Sequence, residues 1–79
     1  MEAQYIRIDR DGNKFCFKDK AMKIRHRLDE PAIEGAYGYK EWWIDGKRHR
    51  PDGPAVEGAD GCKEWFVDGK ELSEEEFKG

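Results

Sequence analysis

An all-β fold is expected: an elongated, twisted antiparallel sheet built from tandem 23-residue β-meanders and closed by a short C-terminal capping helix. Three observations lead to it. First, residues 25–47 (RHRLDEPAIEGAYGYKEWWIDGK) and 48–70 (RHRPDGPAVEGADGCKEWFVDGK) are two copies of one unit, identical at 16 of 23 positions, and a period of that length marks a repeat architecture. Second, apolar residues alternate at a spacing of two rather than 3.6. Third, Asp-Gly pairs recur at the ends of the alternating runs, where a tight turn needs the positive φ that glycine tolerates.

The elements follow in order. Residues 3–9 read as a strand, with Ile6 and Ile8 on one face and Tyr5 on the other. Asp11-Gly12 signals a two-residue hairpin turn, and Asn13–Lys18 returns with Phe15 and Phe17 on one face. Residues 22–28 alternate as a third strand, which places Lys23, Arg25 and Arg27 in a basic stripe. In the first copy Ala32–Glu34 is a short strand, 35–38 a loop and Tyr39–Ile44 the strongest strand, with Trp42 and Ile44 opposite Tyr39 and Trp43. Asp45-Gly46 turns into Lys47–Arg50, and the second copy repeats each step through Ala55–Glu57, Cys62–Val67 and Asp68-Gly69. Ser73-Glu74-Glu75-Glu76 fits a capping box, so a helix over about 74–78 is expected to fold Phe77 back over the last repeat. One domain results: a divergent hairpin (1–24), the copies 25–47 and 48–70, and a cap (71–79).

Composition limits the function. Seventy-nine residues with 42% charged and 37% hydrophobic content allow only a small core, although ten aromatic residues argue for order. Such a thin sheet gains from self-association, so a homodimer is expected. No apolar run reaches the roughly 20 residues that span a bilayer, and the N-terminus lacks a signal-peptide stretch. Cys16 and Cys62 stand alone, outside metal spacing, and read as reduced thiols of a cytosolic protein. Residues 1–28 carry eight Lys/Arg against four Asp/Glu, whereas 29–79 carry seven against fourteen.

The elements His-Arg-x-Asp-Gly-Pro-Ala (complete at 49–55, degenerate at 26–32) and Lys-Glu-Trp-x-x-Asp-Gly-Lys (40–47 and 63–70) resemble the short MORN-like β-hairpin repeats of small bacteriophage and bacterial proteins. The resemblance covers residues 25–72. Phe15-Cys16-Phe17 is expected to stand where Trp42-Trp43-Ile44 stands, with four extra residues before His26. The resemblance implies a binding rather than catalytic role, with a protein partner. It suggests a cytoplasmic phage or bacterial accessory protein that modulates or inhibits a host protein, such as a CRISPR or other defence effector.

The candidate chemistry is sparse. His26 and His49 share one repeat position, as do Asp29 and Asp52. A residue that recurs once per unit serves a job each unit needs, so these read as partners of the backbone at the corners rather than ligands or an acid/base pair. The glycines form no phosphate loop, and neither cofactor nor catalytic residue is expected. The expected contact surface for a protein partner is Tyr37, Tyr39, Trp43, Asp60 and Phe66; Tyr37 and Asp60 differ between copies at a loop tip. The alternative is nucleic-acid binding through Lys23, Arg25 and Arg27, with Tyr5 and Phe15 for stacking. Conversely, Glu34, Glu57, Asp60, Glu64, Asp68 and 74–76 would form an acidic face that mimics nucleic acid.

Overall fold

The computed structural model describes residues 4–79; Ala3, at the start of the expected first strand, lies outside the described residues. The elements are β1 (Tyr5–Ile8), β2 (Lys14–Phe17), β3 (Ile33–Glu34), β4 (Lys40–Glu41), β5 (Trp43–Ile44), β6 (Lys47–Arg48), β7 (Val56–Glu57), β8 (Lys63–Val67), β9 (Lys70–Leu72) and α1 (Glu74–Lys78). An antiparallel sheet runs β1-β2-β3-β4-β7-β8-β9, and β5-β6 forms a separate hairpin. The chain thus meanders, and every long-range pairing joins strands near in sequence.

Two turn types alternate along it. Asp45-Gly46 and Asp68-Gly69 are two-residue turns with positive φ at both positions, the conformation that matches the twist of a tight hairpin. The other corners are longer. At Asp9–Asn13, Gly35–Tyr39 and Gly58–Cys62 the first N–H bonds the fifth carbonyl, and the fourth N–H bonds the first carbonyl. Asp11-Gly12 is therefore not the expected two-residue turn. Gly12 alone turns left-handed, as Gly38 and Gly61 do at the equivalent corners.

The same hydrogen bonds place the N-terminal hairpin in register with the copies. Cys16 N–H bonds Ala32 O and Trp42 N–H bonds Ala55 O; His26 N–H bonds Cys16 O and His49 N–H bonds Trp42 O. Phe15-Cys16-Phe17 thus stands where Glu41-Trp42-Trp43 stands, one residue earlier than expected. Seven residues separate the paired Phe17 and Arg25, against four between the paired Trp43 and Arg48, so the insertion is three residues, not four.

Residues 22–28 are not the expected third strand. The Asp19 carboxylate accepts from the N–H groups of Lys23 and Ile24, which curls the chain. Met22 is left-handed, and only the Phe17–Arg25 bridge remains. Likewise the expected strand 39–44 breaks at Trp42. Its first half pairs with β3 and β7 and its second half with β6.

The buried apolar residues are Cys16, Phe17, Ala32, Ala55, Val56 and Phe66. Ala32 and Ala55 are fully enclosed because each sits at a strand crossing: its N–H bonds Glu41 O or Glu64 O and its carbonyl takes Cys16 N–H or Trp42 N–H. A larger side chain there would force the strands apart. At the C-terminus both halves of the capping box form, Ser73 with Glu76, and Phe77 lies 6.5 Å from Trp65. The cap closes the β9 end.

Candidate binding groove

Each repeat corner is built by the His-Arg pair. Nδ1 of His26 accepts from Asp45 N–H and Nδ1 of His49 from Asp68 N–H, both at 2.9 Å. Accepting there requires an unprotonated Nδ1, so both imidazoles serve the turn backbone. The next residue reaches forward. Arg27 donates to Pro31 O and Glu34, and Arg50 to Pro54 O and Glu57. Beneath Arg50 lies the Trp42 ring, 3.8 Å from the guanidinium carbon; Arg27 instead donates from Nη1 to Cys16 Sγ at 3.9 Å.

Between these two corners runs a groove of about 450 Å³, lined by Arg27, Leu28, Asp29, Trp42, Ile44 and the stretch 49–52. It continues past Arg27 and Leu28 into a second hollow of about 300 Å³ that Gln4, Ile6 and Glu30 complete. Trp42 and Ile44 form an apolar floor, while Leu28 and Pro51 are exposed lips at one repeat position. Arg27 and Arg50 are held by their glutamates, so the groove meets a ligand with apolar surface and a rim of both charges.

The opposite side carries a stack of cations and rings. Arg25 and Arg48 lie 5.5 and 5.2 Å from the Trp43 ring, and Arg48 is also 5.3 Å from the Phe66 ring. Glu41, only 7% exposed, anchors this stack. It accepts from Tyr39 Oη, from Trp43 Nε1 at 2.9 Å and from Arg48 Nε at 3.0 Å. Burial opposes its ionisation, but the bonds from Tyr39, Arg48 and Trp43 outweigh burial and hold its pKa below the ordinary value. Burial first, and then the bond to Glu41, pushes Tyr39 up to about 12.

Of the residues expected to meet a partner, Tyr39, Trp43 and Phe66 are gathered around Glu41 and Arg48, whereas Tyr37 and Asp60 stand at loop tips. Tyr37 and Asp60 are exposed at equivalent loop tips. The Asp60 carboxylate accepts from Cys62 N–H and Sγ–H, and the latter bond raises the Cys62 pKa, which makes a poor nucleophile. Tyr39 and Trp43 are half-buried around Glu41, and Phe66 is 8% exposed. Phe66 belongs to the core: it lies under Arg48 and packs with Ala55 and Val56.

The residues of the basic stripe are placed differently from one another. Lys23 is exposed, but Arg25 is stacked on Trp43 and Arg27 is paired with Glu30 and Glu34. In the acidic set, Glu34 and Glu57 are likewise consumed by Arg27 and Arg50. Sequence reasoning missed Leu28 and Pro51. Their signal was available: they are apolar residues that differ between copies, flanked on both sides by residues that do not. Among the described residues no three His, Cys, Asp or Glu side chains gather as a metal site, and no helix is long and apolar enough to cross a membrane.

Comparison of the chain with protein-family models, curated proteins and solved structures finds no match in any of the three.

Proposed function

We propose that the chain is a non-catalytic protein-binding module whose contact surface is the groove of Leu28, Trp42, Ile44 and Pro51. One observation carries this reading. The exposed lips, Leu28 and Pro51, differ between the copies, whereas the residues around them are identical and engaged in the turns. An apolar recess ringed by polar groups, with an aromatic floor, is what protein interfaces use as an anchor. The resemblance to MORN-like repeats supports the same class of role. As a small phage or bacterial accessory protein, the chain would act by occupying a host protein rather than by chemistry.

The test is capture from a bacterial lysate, with and without nuclease, by the wild type and by Leu28→Lys. Leu28 is exposed, so this variant is expected to melt within a few degrees of wild type. One dominant nuclease-resistant protein, lost with Leu28→Lys, supports the reading. Equal capture by both would overturn the groove, and nuclease-sensitive recovery of many proteins would favour nucleic acid.

A further inference from the structure

The two ends of the sheet are finished differently. At β9, α1 packs over the final hairpin through Phe77 and Trp65. At β1, Ile6 and Ile8 are 47% and 65% exposed. The phase of the β1–β2 ladder shows what this edge offers. Asp9 N–H bonds Asn13 O, while Cys16, which faces Ile6, sends its N–H to Ala32 O and takes His26 N–H on its own carbonyl. Bonded and non-bonded pairs alternate in an antiparallel ladder, so Tyr5 and Arg7 bond β2. The N–H and C=O groups of Ile6 and Ile8 point out of the sheet. Among the described residues none meets them.

We infer that β1 is a strand-addition site for an extended acidic segment of a partner protein. This rests on the protein-binding reading and names the mode and chemistry of one contact. Backbone groups of Ile6 and Ile8 would bond the incoming strand. Apolar side chains at every second position would cover Ile6 and Ile8 and extend toward Leu28, which shares a hollow with Ile6. The intervening side chains would meet the face of Arg7, whose exposed guanidinium lies 5.0 Å from the Phe15 ring. Arg7 is the exposed charged side chain on this strand, and it selects acidic residues there. Charge also argues against a second copy: antiparallel β1–β1 pairing would bring Arg7 beside Arg7. Head-to-tail pairing would meet the α1 cap.

The probes are synthetic peptides of about ten residues that alternate Glu-Val or Lys-Val, with a Glu-Val peptide N-methylated at alternate residues as a backbone control. Amide exchange in the labelled full chain is read residue by residue. The Glu-Val peptide is expected to slow exchange at Ile6 and Ile8 and to bind about tenfold more tightly than Lys-Val. That preference should shrink at about 0.5 M salt and reverse in Arg7→Glu, and the methylated peptide should not bind. Three results would overturn the inference: no slowing at Ile6 and Ile8 at millimolar peptide, slowing at Trp42 or β9 instead, or concentration-dependent slowing without peptide, which signals self-pairing. If Arg7→Glu still captures the lysate partner in a Leu28-dependent way, the edge site falls while the binding module stands. If no variant captures anything, the module reading itself falls.

Discussion

Glu41 and Glu64 are the same residue of the same repeat, yet one is a buried hub and the other is exposed. All three donors to Glu41 are replaced in the second copy: Tyr39 by Cys62, Trp43 by Phe66 and Arg48 by Glu71. Two of the seven differences between copies therefore form one substitution in physical terms. Arg48 opens the second copy, so Glu41 ties the copies together. Identity of sequence does not give identity of role here; the next unit decides it.

Glu41→Ala removes the acceptor of three donors and is expected to cost about 2–3 kcal/mol. Glu64→Ala should stay within about 0.5 kcal/mol. Urea denaturation of the two variants measures the contrast, and equal losses would erase it. The pH dependence sharpens it. Because the folded Glu41 pKa is lowered, its stabilisation is fully present above the ordinary 4.5 and is lost as pH falls through the lowered value. Acid titration should therefore narrow the stability gap between wild type and Glu41→Gln.

The corner histidines extend the comparison. His26 is 2% exposed and His49 more open, although both accept an aspartate N–H. His26→Ala removes a buried ring as well as that acceptor, at a cost of about 2–3 kcal/mol, and His49→Ala about 1 kcal/mol. Thermal melts of both would show it, and a larger loss for His49 would contradict it.

Arg50→Lys should cost about 1 kcal/mol, since lysine loses both the fork to Pro54 and Glu57 and the stack on Trp42. Arg27→Lys should cost less, because it loses a weak hydrogen bond to Cys16 Sγ rather than a ring stack. The smallest effect is a gain: Glu71→Arg offers Glu64 the donor that Arg48 gives Glu41, for a few tenths of a kcal/mol. No gain in the melting midpoint would mean that the β9 end cannot adopt the Glu41 arrangement.

Much of this architecture was legible. The period, the Asp-Gly turns of the copies and the Ser73 capping box each rest on local backbone chemistry, which short stretches of sequence carry. Residues 22–28 misled because alternation there is real but Asp19 captures the following N–H groups, a side-chain competition that periodicity does not report. Phe66 misled because strand alternation tells which face a ring takes, not what covers it; the cover is Arg48, from the hairpin before. The groove was hidden for the same reason. Leu28 and Pro51 lie in different copies and meet only once the corners are folded.

The decisive measurement is a residue-resolved amide-shift titration of the labelled chain with the protein that it captures. Shifts concentrated at Leu28, Trp42, Ile44 and residues 49–52 are the expected result. Shifts confined to the loop tips around Tyr37 and Asp60, with the groove silent, would contradict it.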